Sequence, residues 1–250
     1  MRAAPKHEPA LARCRRIAIV PAYNEEQTIS RVIEEIRAFD AGFEIVVVDD
    51  GSGDRTAIIA ERTGVHVLRL PFNVGIGAAV QAGYQFARDH GFELTVQVDG
   101  DGQHDPREIA ALVGPILEGR ADMVVGTRFA AGGGYHGTRL RRLGIHLFAA
   151  LVSVMVRQRV TDTTSGFRAV NRKGIRLFAS EYPYDYPEVE ASVVLSRHKL
   201  RMVEVPVQMR IRETGRSSIT ALRSVYYMVK VLLALFIGLF RKYSTELEEP

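Results

Sequence analysis

Short apolar runs recur along the first half of the sequence, each followed by turn-forming residues and then by apolar positions at helical spacing. The runs predict strands over Arg16–Val20, Glu44–Asp50, His66–Leu70, Leu94–Val98 and Asp122–Arg128. Between them, Glu25–Phe39 carries Ile29, Val32, Ile33 and Ile36 on one helical face. A second helix ends at Arg62, with Ser52 or Asp54 as its expected cap. A third covers Gly75–His90, and a fourth runs from Asp105-Pro106 to Glu118. Strand and helix thus alternate through residue 127, which predicts an α/β fold with a mostly parallel central sheet and helices on both faces. The run Ile45–Val48 is apolar throughout, as expected of a strand covered on both sides.

The second half changes pattern. Residues 132–138 read as a glycine-rich loop, and 139–159 as a helix with basic ends and an apolar middle. Residues 161–172 read as a loop and short strand, Glu188–His198 as a helix, Met202–Val207 as a last strand and 210–218 as a basic loop. A very apolar helix is expected over Thr220–Lys242. The expected organisation is a flexible tail over 1–15, a catalytic domain over 16–215 and a C-terminal basic and apolar segment over 216–250.

In open parallel sheets, ligands bind at the carboxyl ends of strands. Pro21-Ala22-Tyr23, Asp49-Asp50 and Asp99/Asp101 all follow strand ends, so one crevice is expected to hold all three. The stretch LTVQVDGDGQHDP places Asp99, Asp101, Gln103 and Asp105 within seven residues. Such a cluster repels itself and calls for a compensating cation. Asp99 and Asp101 suit one divalent ion, with Gln103 as a neutral oxygen ligand, and Gly100 and Gly102 permit close backbone approach. The competing reading is an acidic turn, since Asp and Gly are turn formers.

Composition narrows the classes. Cys14 is the one cysteine, which excludes an intrachain disulfide framework and fits a reducing compartment. The basic N-terminus has no apolar core and does not read as a secretory signal. Net charge is +4 but uneven: residues 1–119 carry 12 Lys+Arg against 18 Asp+Glu, and residues 120–250 carry 21 against 11. A carboxylate-rich front half and a back half that meets anions are one reading; solvated helix faces are the other. A phosphate-accepting receiver domain is disfavoured, because its acidic pair follows the first strand and it needs a late lysine, whereas this chain has no lysine between Lys6 and Lys173. The G-x-G of Asn73–Gly83 follows the third strand, not the first, so it is not a dinucleotide fingerprint. It is expected to let a loop and helix pack over a nucleotide.

PAYNEE, VVVDDGS, N-V-G-I-G, VDGDGQHDP and VVGTR, in this order and spacing, resemble the family-2 glycosyltransferases of the GT-A fold over roughly Arg16 to Val207. The resemblance implies inverting sugar transfer from a UDP- or GDP-linked donor, with Mg²⁺ or Mn²⁺. It implies donor binding by Pro21, Ala22, Tyr23, Glu25, Asp50, Asn73, Gly77, Asp99, Gly100 and Asp101, and metal binding by Asp99, Asp101 and Gln103. Within the family, G-T-R at 126–128, D-T-T-S-G-F-R at 162–168 and R-E-T-G-R-S-S at 212–218 resemble polyprenyl-phosphate sugar transferases of the dolichyl-phosphate mannose synthase kind. This implies an acceptor phosphate held by Arg128, Arg139, Ser165, Arg212 and Arg216, with Asp99, Asp101 and Arg128 as the candidate catalytic residues. The subgroup often has a lysine where this chain has Ser218; Arg216 stands nearby. Members using alcohol acceptors commonly carry a Glu-Asp pair at the helix before the last strand. Here that place reads Glu188-Val189, with Glu190 as a displaced candidate base. A phosphate is already anionic and needs cations instead.

Val225–Phe240 is sixteen residues with Lys230 as its one charge. At 1.5 Å per residue it reaches about 24 Å, short of the roughly 30 Å hydrocarbon core. With basic flanks it is expected to lie on an anionic membrane surface. Leu143–Val156 is similar; for both, a core or oligomer-interface helix is the alternative. These features imply a cytoplasmic enzyme peripheral to the inner face of the cell membrane, acting in cell-envelope glycan assembly. A membrane-protein partner or homo-oligomer is expected, and nucleic acid is not. The alternatives are the same chemistry on a hydroxyl of a glycolipid or polysaccharide and, more distantly, a nucleotide- or phosphate-binding regulatory module.

Overall fold

The computed structural model describes residues 11, 14–127, 153, 160–162, 165–184 and 186–210. No helix among them is long and apolar enough to cross a membrane. The expected C-terminal segment, and all of the 139–159 helix but Ser153, lie outside the described residues. So do the first ten residues of the expected tail. At the tail's end, Leu11 is buried and Arg15 donates to the His90 carbonyl at 2.6 Å, so packing begins earlier than the sequence suggests.

The described strands form one seven-stranded sheet. They are β1 (Arg16–Ala22), β2 (Glu44–Asp49), β3 (His66–Arg69), β4 (Leu94–Gln97), β5 (Met123–Thr127), β6 (Arg168–Asn171) and β7 (Met202–Pro206). Their order is β3-β2-β1-β4-β6-β5-β7. β1 pairs in parallel with β2 and β4, β2 with β3, and β5 with β7. β6 runs antiparallel between β4 and β5 and separates them. The helices are α1 (Ile29–Phe39), α2 (Thr56–Arg62), α3 (Ile76–Asp89), α4 (Ile109–Leu117), α5 (Arg172–Ser180) and α6 (Pro187–Arg197).

The strand periodicity of two decides what each face buries. Ala18, Val20 and Ala22 of β1, with Ile45 and Val47 of β2, pack with Ile29, Val32, Ile33 and Ile36 of α1; Ile109, Leu112 and Val113 of α4 extend that core. The opposite face of β1 meets α3, where Gly83 sits over Ile19. α1 starts at Ile29, four residues after the expected start, because Glu25–Thr28 form a turn in which the Glu25 carbonyl accepts from both Thr28 and Ile29. Asp105 caps a short 3₁₀ turn (Pro106–Glu108) that leads into α4, accepting from the Arg107 N–H. Asp54 takes the Thr56 N–H at the start of α2, whereas Ser52 bonds the Asn24 N–H instead of capping.

α5 is not anticipated from the periodicity, yet its start carries a legible signal. The Asn171 side chain accepts from the Lys173 and Gly174 N–H groups at 3.0 and 3.1 Å, as an N-cap does.

Gly83 tests the α3–β1 contact. Alanine inside a helix is ordinarily favoured over glycine by about 1 kcal/mol. Here a Cβ on Gly83 would lie 2.4 Å from Cγ2 of Ile19, a fully buried β-branched side chain that cannot swing away. Overpacking of about 1–3 kcal/mol should win. Gly83→Ala is therefore expected to lower stability in urea melts, and to do so by less in an Ile19→Ala background. A stabilised single variant would contradict this packing.

Candidate active site

The end of β1 is the centre of the site. The Ala22 carbonyl accepts from the Asp50 N–H at 2.9 Å, and the Pro21 carbonyl accepts from the Gly100 N–H at 3.0 Å. Pro21 and Ala22 thus sit between the acidic residues after β2 and those after β4. The fit at Gly100 is tight: a Cβ there would lie 3.1 Å from both the Ala22 Cβ and the Pro21 carbonyl oxygen.

The PAYNEE turn is stitched to the following acidic loop. Asn24, in a left-handed conformation at φ 55°, donates its N–H to Ser52 Oγ and accepts from the Gly53 N–H, both at 2.9 Å. Glu25 and Glu26 donate their N–H groups to Thr56 Oγ1 and Asp54 Oδ2. Tyr23 is left half-exposed, and the Glu25 carboxylate accepts from Thr28 Oγ1. Asp50 accepts from the Val74 and Gly75 N–H groups at 2.8 and 3.1 Å, so its carboxylate shapes the loop that exposes Asn73. Gly77 is explained by packing: a Cβ there would meet the Pro183 and Tyr184 carbonyl oxygens at 2.5 and 2.6 Å.

After β4 the chain turns through Gly102 at φ 75°. The Asp99 N–H donates to His104 Nδ1 at 3.0 Å, and the Gln103 N–H donates to Asp101 Oδ1 at 3.0 Å. Gln97 Nε2 donates to Asp99 Oδ1 at 3.0 Å, leaving its buried Oε1 without a hydrogen-bond partner. An unpartnered buried oxygen costs about 1–3 kcal/mol, so the amide's direction is set by Asp99 rather than by its own satisfaction. No group of three or more His, Cys, Asp and Glu suited to a metal occurs among the described residues. Two carboxylates and an amide oxygen, all hard donors, instead suit Mg²⁺ or Mn²⁺, which take few protein ligands and fill the rest with phosphate or water oxygens.

The Asp162–Arg168 motif is brought to this loop. At its start, Glu204 of β7 accepts from the Thr161 N–H at 2.8 Å and the Asp162 N–H at 3.2 Å. At its end, fully buried Arg168 donates to the carbonyls of Ser165, Pro187 and Glu188. Between these anchors, Gly166 lies so close that a Cβ on it would be 2.9 Å from Gln97 Nε2 and 3.2 Å from Asp99 Oδ2. Ser165 is buried, and its Oγ accepts from the Phe167 N–H at 3.3 Å. Arg128, Arg139, Arg212 and Arg216 lie outside the described residues.

Glu188, at the start of α6, has its carboxyl pushed up by burial, opposed by the Arg168 charge and reinforced by Asp99. Glu188 therefore lies in the field of Asp99; the sequence offered Glu190, two residues on in the same helix, as a displaced base. Gln97, His104, Arg168 and Glu204 also escaped the sequence reading. Gln97 was visible as a long polar side chain in the run LTVQV, a placement that burial makes expensive without partners.

The Glycosyl transferase family 2 model matches residues 17–178. The chain is 29% identical to polyprenol monophosphomannose synthase of Mycolicibacterium smegmatis, over 87% of this chain and 85% of that one. It is 30% identical to undecaprenyl-phosphate mannosyltransferase of Micrococcus luteus, over 82% and 87%. Among solved structures, glucosyl-3-phosphoglycerate synthase from Mycobacterium tuberculosis, in complex with Mn²⁺, uridine diphosphate and phosphoglyceric acid, superposes with a TM-score of 0.67 at 25% identity, covering 92% of this chain and 80% of that one. The converging strand ends, the paired aspartates and these similarities lead to one conclusion: the chain belongs to glycosyltransferase family 2, has its GT-A fold and is a glycosyltransferase.

Proposed function

We propose that the chain is an inverting, divalent-metal-dependent hexosyltransferase that moves a sugar from a UDP- or GDP-linked donor to the phosphate of a membrane polyprenyl phosphate. The observation that carries this reading is the approach of Gly166 to Asp99, which joins the motif expected to meet the acceptor to the carboxylates expected to meet the donor. The names of the two curated relatives, both polyprenyl-phosphate mannosyl enzymes, support it, as do the Mn²⁺ and uridine diphosphate of the M. tuberculosis neighbour.

In this reading Pro21, Ala22, Tyr23, Glu25 and Asp50 form the nucleoside side of the crevice, and Asp99, Asp101 and Gln103 hold Mg²⁺ or Mn²⁺. The metal supplies positive charge against the leaving diphosphate. An acceptor phosphate oxygen attacks the anomeric carbon as the bond to the nucleoside diphosphate breaks, and the single displacement inverts configuration. The acceptor is already an anion, so the protein's task is to position it, which falls to Arg128, Arg139, Ser165, Arg212 and Arg216. Their clustering in the basic second half also suits an anionic membrane surface, at the inner face of the cell membrane.

One observation favours the second reading, a hydroxyl acceptor. Glu188 places a carboxyl with a raised pKa in the field of Asp99, and a perturbed carboxyl in a cleft is a base candidate.

Asp101→Ala is expected to abolish turnover, and EDTA to do the same to the parent until Mg²⁺ or Mn²⁺ is restored. Full activity in metal-free buffer would overturn the metal assignment. The acceptor classes separate kinetically. Arg128→Ala and Arg212→Ala should each weaken acceptor use by about 1.5–3 kcal/mol, roughly ten- to more than a hundredfold, with donor binding by calorimetry nearly unchanged. Glu188→Gln should alter the rate little with a phosphate acceptor, but by about 10²–10⁴-fold if it is the base for an alcohol. A crippled Glu188→Gln beside near-normal arginine variants would favour the hydroxyl reading.

A further inference from the structure

His104 belongs to neither the metal set nor the acceptor set, yet both of its ring nitrogens face Asp99. It is 4% exposed. Its Nδ1 accepts the Asp99 N–H at 3.0 Å, which places the ring's own N–H on Nε2. Nε2 faces Asp99 Oδ2 at 3.7 Å, longer than a hydrogen bond but within reach of the N–H dipole.

The ring cannot easily turn. It stacks on Phe167 at 4.6 Å with 11° between planes, and Phe167 is fully buried next to Gly166. Its backbone forms an isolated antiparallel bridge with Met209. The neighbouring Gln103 carbonyl accepts the Arg210 N–H at 2.8 Å, and the Arg210 guanidinium reaches Glu35 at 2.6 Å and Asp105 at 3.2 Å. The segment after β7 thus fastens the outer edge of the turn, while Phe167 fixes its inner edge. Gln97 approaches the other oxygen of Asp99.

We propose that His104 is a positioning residue for the metal-binding turn: by accepting the Asp99 N–H through Nδ1 it closes the loop from Asp99 to His104 and sets the direction in which Asp99 presents its carboxylate. This rests on the reading of Asp99 as a ligand of the donor-side cation. The essential element is the acceptor at Nδ1. Groups that orient a metal ligand from behind commonly change metal affinity by about 10–100-fold when removed.

The test is Mn²⁺ binding followed by electron paramagnetic resonance of free Mn²⁺, with saturating UDP in one series and GDP in another, and thermal melts to check folding. His104→Leu retains an apolar body against Phe167 but has no acceptor; it should raise the Mn²⁺ dissociation constant about 10–100-fold. His104→Asn places Oδ1 where Nδ1 stood and should recover most of that affinity. His104→Gln carries its amide one carbon further out and should not. If the leucine variant fails to fold, the Asn–Gln comparison decides. Equal affinities for Asn and Gln, or a folded leucine variant that binds Mn²⁺ like the parent, would overturn the positioning role. Asp99→Ala separates this from the underlying reading: if it binds Mn²⁺ as tightly as the parent, the metal assignment itself fails. If it loses binding while the histidine variants do not, only the role of His104 fails.

Discussion

A carboxylate at the end of a buried strand needs donors or a cation around it, and the surroundings of Asp99 are arranged to that requirement. Gln97 turns its amide N–H toward one oxygen and leaves its own carbonyl oxygen without a partner. His104 ties down the backbone, and Gly166 brings main chain to within a methyl group of the other oxygen. Each contact fixes direction without filling the outer side of the carboxylate. Gln97 and His104 are themselves buried, so supports of this kind hold their geometry before a charged partner arrives.

The antiparallel strand β6 makes this possible. Had β5 simply followed β4 in parallel, the chain from 162 to 168 would have no reason to cross the end of β4. Because β6 lies between them, with Arg168 in register with both Gln97 and Val125, the residues just before it enter at the end of β4, and Gly166 comes up against Asp99. The cost is a guanidinium buried in the middle of the sheet. Three backbone carbonyls and the nearby carboxyl of Glu188 offset that cost. Arg168 therefore fastens the expected acceptor loop to the start of α6, and Glu204 holds the other end of the same loop.

The sequence carried much of this in local signals. Apolar runs and helical spacing located β1 to β5 and the faces of α1, because each such element buries one periodic face. The family motifs located the crevice, because turns at strand ends are short and their residues follow the strand directly. What was not legible depends on contacts distant along the chain. The place of β6 between β4 and β5 has no local signature. Gly77 was read as a nucleotide-loop glycine; that the Pro183–Tyr184 backbone, about a hundred residues on, leaves no room for a side chain there has no local signature. Glu190 was offered as a displaced base from the family motif; that the Glu188 carboxyl lies in the field of Asp99 depends on the packing of α6 against Arg168, which no local pattern shows.

The proposed transfer to a lipid phosphate is tested most directly by following the sugar. The purified chain would be incubated with radiolabelled UDP- and GDP-sugars and polyprenyl phosphate in anionic vesicles, and the organic phase then treated with mild acid. A sugar joined to a polyprenyl phosphate is released by that treatment, whereas one joined to a lipid hydroxyl is retained. The account predicts metal-dependent label in the organic phase that mild acid releases. Label that enters lipid only when a hydroxyl-bearing glycolipid is supplied, and that survives acid, would contradict it.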